Sequence, residues 1–209
     1  MSGTSTDGID VAYLESDGEA IGHLGGHLTV PYTDQFREKL RALIASGSAP
    51  DSNEDSARKS VEEELTTLHA AAVTRFMSEE RLSPADVDLV GFHGHTTDHN
   101  PNRGRTVQIG DGLALSRLLN LPVVHDFRSN DLTHGGQGAP LAPIYHAALF
   151  AALAKPTAVL NIGGVANVTW IGKGAQSLLS FDTGPGNALI DDWIRSHGAG
   201  EYDDGGKNA

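Results

Sequence analysis

The chain has no cysteine among its 209 residues. This absence excludes a disulfide framework and a zinc site built on thiolates. No apolar run approaches the roughly 20 residues of a membrane-spanning helix. Basic residues are also few, since 15 Lys and Arg stand against 27 Asp and Glu, for a net charge of -12. Because nucleic acids and anionic membranes select basic surfaces, we expect neither as a partner.

The N-terminal stretch "MSGTSTDGID" is polar and lacks the basic and apolar segments of a secretory signal peptide. Hydrophobic residues make up 39% of the chain and charged residues 20%, which is ordinary for a globular protein. The composition therefore favours a cytoplasmic enzyme or a cytoplasmic binding protein.

Apolar periodicity predicts strands that alternate with helices. "DVAYLES" reads as a strand with "AIGHLGGHLTVPY" as its partner, and helices follow over 34–46 and from about Glu54 to Met77. Further strands are predicted in "VDLVGF", "RTVQIGDG", "LPVVHDF", "SLLSF" and, around a turn, "TAVLNIGGVANVTWIG". "APIYHAALFAAL" and "NALIDDWIRSHG" are predicted helices. This alternation is typical of an α/β architecture, with a lobe boundary in the Gly-rich segment near 130–140.

Glycines, hydroxyls and acids crowd the segment "GTSTDGID". Glycine lets a backbone approach anionic oxygens closely, and hydroxyl groups add hydrogen-bond donors. The segment therefore predicts a phosphate cradle, although a Gly/Asp turn without a ligand fits equally well. It matches neither the Walker A loop nor the dinucleotide fingerprint. The candidate residues are Gly3, Thr4, Ser5, Thr6, Asp7, Gly8, Ile9 and Asp10.

A second glycine turn lies in "LNIGGVANVTW". Its candidate residues are Asn161, Gly163, Gly164 and Asn167, which offer amide and backbone donors. Two donor-rich turns on facing lobes would clamp a polyphosphate. A tight turn with a bulge is the competing interpretation.

Three histidines, His93, His95 and His99, lie close together in "GFHGHTTDHNP". Alternate residues of a strand would share a face and could hold zinc, but Gly94 and Thr96 indicate a loop. Imidazole and hydroxyl groups together match the hydroxyls of a sugar, so polar recognition of a small molecule is the favoured interpretation. Surface histidines without a ligand remain an alternative.

Arg128 lies in "DFRSNDLTHGGQGAPLAP". Its guanidinium can donate two parallel hydrogen bonds to a carboxylate or a phosphate. A structural ion pair with Asp126 or Asp131 is the alternative.

Asp182, in "SFDTGPGNALIDDW", follows an apolar run at the predicted end of a strand. A carboxylate there can act as a general base when a hydroxyl or a water lies within hydrogen-bond reach. Asn187 is the better candidate for the N-cap of the next helix, which leaves Asp182 for chemistry.

Seven motifs together resemble the 1,6-anhydro-N-acetylmuramic acid kinase family. They are "MSGTSTDGID", "GFHGHT", "QIGDG", "PVVHDFRSNDL", "GGQGAPL", "NIGGVANVTW" and "FDTGPGNALIDDW". The resemblance implies the two-lobed, ribonuclease H-like fold of the actin, sugar-kinase and heat-shock-ATPase superfamily. It implies a first lobe over 1–132 and an incomplete second lobe over 133–209.

The resemblance also implies a function. The family uses ATP and Mg²⁺ to open the anhydro ring and phosphorylate O6, which yields N-acetylmuramic acid 6-phosphate in cell-wall recycling. By the same resemblance, 3–10 is the first phosphate loop, 161–167 is the second, and Asp182 is the base that activates water. The implied sugar contacts are His93, Thr96 and Arg128. No residue is assigned to a metal.

Two departures from the family pattern qualify this expectation. His95 stands where the family usually has Gln. The chain looks clipped at both ends, so we expect exposed apolar surface and little or no kinase activity from these 209 residues alone, with the adenine site beyond them. Another sugar or acid kinase of the same superfamily and a noncatalytic sugar-binding module remain alternatives, and a homodimer is left open.

Overall fold

The computed structural model describes residues 1–3, 6–46, 52–174, 177–198, 200 and 202–208. The chain divides into two compact units. The first unit comprises Met1–Ser16 and Gly22–Ala139, and the second comprises Asp17–Ile21 and Pro140–Ala209. The functional lobe boundary at 132/133 stays a prediction. Within the described residues, no helix combines the length and the apolar character needed to cross a membrane.

Strands and helices alternate along the chain, as an α/β fold requires. In order they are β1 Gly8–Ser16, β2 Ile21–Pro31, α1 Asp34–Ser46, α2 Ser52–Glu79, β3 Val90–Phe92, β4 His95–Asn100, β5 Arg105–Ile109, α3 Gly112–Leu119, β6 Val123–His125, α4 Ser129–Thr133, α5 Ala142–Leu149, β7 Thr157–Ile162, β8 Val165–Ile171, β9 Leu178–Pro185 and α6 Ala188–Ser196. The predicted α/β class is therefore confirmed.

The sheets of the first unit are two-stranded. β1 pairs with β2, β3 pairs in parallel with β6, and β4 pairs antiparallel with β5. The predicted loop over 93–99 is wrong in part, because His95–Asn100 forms β4. The chain reverses after β4 and pairs it with β5, and this pairing outweighs the turn signals of Gly94 and Thr96.

The main core of the first unit lies where α1 and α2 pack against β1. Phe36 and Leu40 of α1 and Leu65 of α2 are fully buried there, as the helical periodicity predicts. Ile9 of β1 and Ile109 of β5 belong to the same cluster.

Helix α2 also holds the turn that follows β5. The Glu62 Oε1 atom accepts from the Gly110 N–H at 2.8 Å, and the Thr66 Oγ1 atom accepts from the Asp111 N–H at 3.0 Å. Asp111 in turn caps α3, since its Oδ1 atom accepts from the Ala114 N–H at 2.9 Å. The turn after β5 is thus fixed between two helices.

The second unit is built on the sheet β7–β8–β9, in which both pairings are antiparallel. Directly paired residues share a face of such a sheet. One face, here called the apolar face, carries five exposed large side chains. They are Leu160, Ile162, Trp170, Leu179 and Phe181. The opposite face is more polar and contacts α5, where His146 Nδ1 lies 3.0 Å from Thr169 Oγ1.

Candidate functional sites

A cavity of about 290 Å³ opens in the first unit, where the parallel strands β3 and β6 end. The carboxyl ends of parallel strands are the usual place for a ligand in an α/β sheet. The polar lining residues include His93, Thr106, Gln108, Asp126 and Ser129. The cavity therefore offers acceptors and donors of the kind that match a polyhydroxylated ligand.

His93 lines this cavity and contacts Arg128. The Arg128 Nε–H donates to His93 Nε2 at 2.9 Å, and His93 Nδ1 lies 3.3 Å from the Gly94 carbonyl oxygen. Burial, and then the charge of Arg128, lowers the pKa of His93 from its usual 6.5. The structure thus brings together two of the three predicted sugar contacts.

Arg128 also donates a hydrogen bond to the loop that follows α4. Its Nη1 atom donates to the Gly138 carbonyl oxygen at 3.1 Å, and the Gly138 N–H donates to Asp131 Oδ2 at 2.7 Å. Burial lowers the pKa of Arg128 from its usual value. The Asp131 carboxylate is thus engaged by a backbone N–H, and Asp126 accepts from the Ser129 hydroxyl.

The third predicted sugar contact, Thr96, bonds to a residue that the sequence reasoning did not select. Gln108 Nε2 donates to Thr106 Oγ1 at 2.7 Å and lies 3.3 Å from Thr96 Oγ1. Thr96 and Gln108 are paired across β4 and β5. The two threonines thereby hold the amide nitrogen of Gln108. Alternation along "RTVQIG" was the available signal for Gln108, which lines the cavity.

The sequence indicates Asp126 only as an alternative ion-pair partner for Arg128, but the structure places it directly after β6 in the wall of the cavity. Its φ angle is 56°, in the left-handed region that non-glycine residues rarely adopt. Such backbone strain is typical of functional positions, and this exposed carboxylate can accept from ligand hydroxyls.

The other two histidines face elsewhere. His95 is 1% exposed, and its Nδ1 atom lies 2.8 Å from Ser2 Oγ, which also accepts from the Tyr32 hydroxyl at 2.7 Å. Burial lowers the pKa of His95 to about 4. His99 Nδ1 lies 3.0 Å from Thr106 Oγ1. The three rings thus engage different partners.

The first glycine segment runs directly into β1, which begins at Gly8. The Thr6 N–H donates to the Gly3 carbonyl oxygen at 3.1 Å, and the Arg41 Nε–H donates to Thr6 Oγ1 at 3.0 Å. Thr4 and Ser5 lie outside the described residues. The side chain of Ile9 belongs to the core, so only its backbone could reach a ligand.

Glycine and acid positions later in the same segment have distinct roles. A Cβ atom on Gly8 would lie 2.5 Å from the Val30 carbonyl oxygen, so glycine permits the close approach of β1 and β2. Asp7 and Asp10 are exposed, and Asp10 Oδ1 accepts from the Thr29 hydroxyl at 2.6 Å.

In the second unit, three predicted site residues form one row across the sheet. Asn161 of β7 pairs with Asn167 of β8, and Asn167 pairs with Asp182 of β9. Directly paired residues have Cβ atoms roughly 5 Å apart on the same face. This polar row of Asn161, Asn167 and Asp182 places two amides beside one carboxylate.

The predicted position of Asp182 at the end of a strand is wrong, because β9 continues through Pro185. Pairing with β8 on one side extends the strand past the glycine of the turn sequence, with a register shift between Ala166 and Asn167. Asp182 is exposed, and its carboxylate accepts no hydrogen bond from the part of the chain that the structure describes. It is therefore not held in a purely structural bond.

The second glycine turn packs on the segment that follows Asp182. The Gly186 N–H donates to the Gly164 carbonyl oxygen at 2.9 Å, and the Asn187 N–H donates to the Gly163 carbonyl oxygen at 2.8 Å. A Cβ atom on Gly186 would overlap with the Gly163 carbonyl oxygen, so this approach requires glycine. The second glycine turn and the segment after Asp182 are thus joined by backbone hydrogen bonds.

Asn187 occupies the N-cap position of α6, as predicted, but its side chain does not cap the helix. Instead its Nδ2 atom donates to Asp191 Oδ2 at 2.9 Å, one turn along the helix. The helix start therefore does not depend on Asp182.

Comparison with known proteins covers the whole chain. The family model described as anhydro-N-acetylmuramic acid kinase matches residues 1–209. The chain is 51% identical over 223 residues to the anhydro-N-acetylmuramic acid kinase of Methylobacterium nodulans and 51% identical over 197 residues to that of Paramagnetospirillum magneticum. It is 46% identical over 215 residues to the protein of the same name from Brucella canis.

These matches cover 94% to 100% of this chain and only part of each relative. The chain spans 59%, 53% and 57% of the length of the three relatives, respectively.

Proposed function

This chain belongs to the anhydro-N-acetylmuramic acid kinase family, and from that premise we propose that it acts in the ATP-dependent phosphorylation of 1,6-anhydro-N-acetylmuramic acid. The reaction opens the anhydro ring with water and gives N-acetylmuramic acid 6-phosphate, as in cell-wall recycling and amino-sugar catabolism. The observation that carries the proposal is the polar row of Asn161, Asn167 and Asp182, because it joins the proposed base to the second phosphate turn.

Asp182 is the proposed general base. An exposed carboxylate that accepts no hydrogen bond from the described residues keeps its lone pairs for a proton. In the proposed step, Asp182 takes a proton from water as the water oxygen bonds to the anomeric carbon of the sugar. The bond from that carbon to the bridging oxygen breaks, and its electron pair passes to O6.

ATP is the proposed second substrate, and its γ-phosphoryl group is transferred to O6 while ADP leaves. Phosphoryl transfer depends mainly on positioning and charge neutralisation. Asn161 and Asn167 supply amide donors in the second unit, and the segment 3–10 of the first unit is the proposed first phosphate loop. We propose that the two units correspond to the lobes of an actin-like fold, with a phosphate loop in each.

Mg²⁺ is the proposed metal. Carboxylates suit this cation, and the exposed Asp7 and Asp10 of the proposed first phosphate loop fit it by their chemistry. When bound, Mg²⁺ would neutralise phosphate charge.

The cavity of the first unit is the proposed sugar site. Gln108 and Asp126 present acceptors for sugar hydroxyl or amide N–H groups, and Ser129 presents a hydroxyl. Of the residues proposed from the sequence, His93 lines the cavity, Arg128 bonds to His93, and Thr96 holds Gln108.

Replacing Asp182 with Asn in the complete gene product tests the base. The change removes the charge with little change of shape, so we expect a loss of kcat of about 10²-fold or more. Asp192→Asn is the matched control, because Asp192 is another carboxylate of the same unit and is paired with Arg195 on the surface of α6. Undiminished turnover by Asp182→Asn would remove the proposed base.

Two further measurements distinguish this function from its alternatives. In heavy-oxygen water, the label should enter the anomeric hydroxyl of the product and not the phosphate. In thermal shift, stabilisation by the anhydro-sugar and not by N-acetylmuramic acid selects this substrate. Stabilisation by ATP alone points to another kinase of the superfamily, and sugar binding without turnover points to a noncatalytic module.

A cytoplasmic location is proposed from the composition. A homodimer, which the sequence left open, would appear in sedimentation velocity as a species of twice the monomer mass.

A further inference from the structure

Both ring nitrogens of His93 are engaged by neighbouring residues. The Arg128 Nε–H needs an acceptor, so His93 Nε2 must be unprotonated, and the proton then lies on Nδ1, facing the Gly94 carbonyl oxygen. His93 therefore has no ring nitrogen left over for a ligand hydroxyl, although its ring forms part of the cavity wall.

Arg128 is held at two points. Its Nε atom bonds to His93 and its Nη1 atom bonds to the Gly138 carbonyl oxygen, and the Nη2 amino group takes part in neither contact. Gly138 is buried with a φ angle of 65°, and a Cβ atom there would overlap with Leu132. The loop carbonyl that anchors Arg128 thus has little freedom to move.

We propose that His93 is a positioning residue for Arg128 rather than a sugar ligand. His93 lines the cavity, and Arg128 bonds to it from outside that lining; neutral His93 fixes the guanidinium there, and its Nη2 amino group is the one assigned to an anionic group of the ligand. This inference rests on the proposed function, and it assigns binding to Arg128 and orientation to His93.

The proposal has a consequence for pH dependence. Protonation of His93 removes the acceptor and places a second positive charge beside Arg128, so ligand binding should weaken as pH falls through the pKa of His93, which burial and Arg128 hold below its usual 6.5. Charged and titratable groups surround His93. They are Arg58 of α2, His125 at the end of β6, Asp126 directly after it, Arg128, His95 and the amino terminus.

Two substitutions in the complete gene product separate positioning from ligand contact. In His93→Gln, the side-chain oxygen lies as many bonds from Cα as Nε2 does and can accept from Arg128 without titrating in this range. We expect its KM for the sugar near pH 7.5 to stay near that of the parent. The rise of KM at low pH, here called the acid limb, should be lost in this variant. In His93→Leu we expect KM to rise about tenfold at every pH, with kcat little changed.

His125→Gln is the matched control, because it removes another titratable ring from the same cavity wall. We expect this variant to retain the acid limb. An acid limb that persists in His93→Gln, or one that disappears in His125→Gln, overturns the proposal.

A second measurement does not depend on turnover. Nitrogen NMR of the 209-residue chain should show His93 with its proton on Nδ1, and the Arg128 Nε–H should exchange slowly at neutral pH and faster in His93→Leu. A proton on His93 Nε2 would overturn the positioning role. The NMR result and the turnover assay can disagree. If His93 carries its proton on Nδ1 but the complete gene product does not turn over the anhydro-sugar, the proposed function is wrong and the positioning of Arg128 by His93 is still supported.

Discussion

Asn167 and Asp182 are paired directly across β8 and β9, so an amide and a carboxylate lie side by side on one face of the sheet. The amide group of Asn167 is a neutral neighbour for the carboxylate. The electrostatic surroundings of the proposed base can therefore be changed from an adjacent strand without touching the base.

Asn167→Asp should shift the acid limb of the kcat profile to higher pH. A second carboxylate opposite Asp182 disfavours ionisation of both, which raises the apparent pKa of the pair. Because only the ionised base accepts a proton, activity at low pH should fall. Asn161→Asp is the control, since Asn161 is separated from Asp182 by β8. An acid limb that does not move would argue against Asp182 as the base.

Gly186→Ala should destabilise the second unit by about 1–3 kcal/mol, because the new methyl group would overlap with the Gly163 carbonyl oxygen. Gly164→Ala is the matched control, since its Cβ atom would meet the Ala188 Cβ atom at an ordinary 3.6 Å. Urea unfolding followed by circular dichroism measures both. Equal stability of the two variants would contradict the close packing of the two turns.

The first unit should lose stability in mild acid because of two buried histidines. Burial lowers the pKa of His69 and of His95 to about 4, while the unfolded chain binds these protons near pH 6.5. The unfolded state therefore gains protons first, and stability falls as pH drops from 6.5 toward 4, by on the order of 3 kcal/mol for each histidine. Chemical denaturation at several pH values measures the slope.

His95→Gln should reduce this acid sensitivity, because glutamine does not titrate. His69 would keep its own contribution. A pH slope unchanged from that of the parent chain would show that His95 is not buried in its neutral form.

Gln108→Met should raise KM for the sugar about tenfold, because it removes the acceptor held by Thr96 and Thr106. Thr106→Val should give a smaller rise, and the double variant should be less than additive, since both changes release the same amide. Thr67→Val, whose hydroxyl bonds to the Glu63 carbonyl oxygen on α2, is the control. If the effects of the two substitutions on KM were additive, Thr106 would not act by orienting Gln108.

The 209-residue chain should associate with itself through the apolar face at high concentration. Leu160 and Phe181 of that face are 59% and 50% exposed. The double variant L160K/F181E should remain monomeric in sedimentation velocity and bind less of an apolar dye. Leu24→Lys is the control, because Leu24 is an apolar side chain that is 50% exposed on β2 in the first unit. Association that the double variant leaves unchanged would exclude the apolar face.

Local spacing in the sequence determined helices α1, α2, α5 and α6 and most strands of this protein, but it did not indicate α3 and α4. The apolar stripes of α1 and α2 predict the buried faces that carry Phe36, Leu40 and Leu65. The glycine turns and the acid of the "FDTGPGN" segment were also identified by residue type alone. These features depend on neighbours within a few positions, where helix and strand periods act.

Strand pairing decided the rest. The register of β7, β8 and β9 places Asn161, Asn167 and Asp182 in one row, and the pairing of β4 with β5 brings Thr96 to Gln108. The contact of His93 with Arg128 joins residues 35 positions apart. A single sequence carries no local signal for such contacts, because register is set by burial of whole faces and by hydrogen bonds between distant segments.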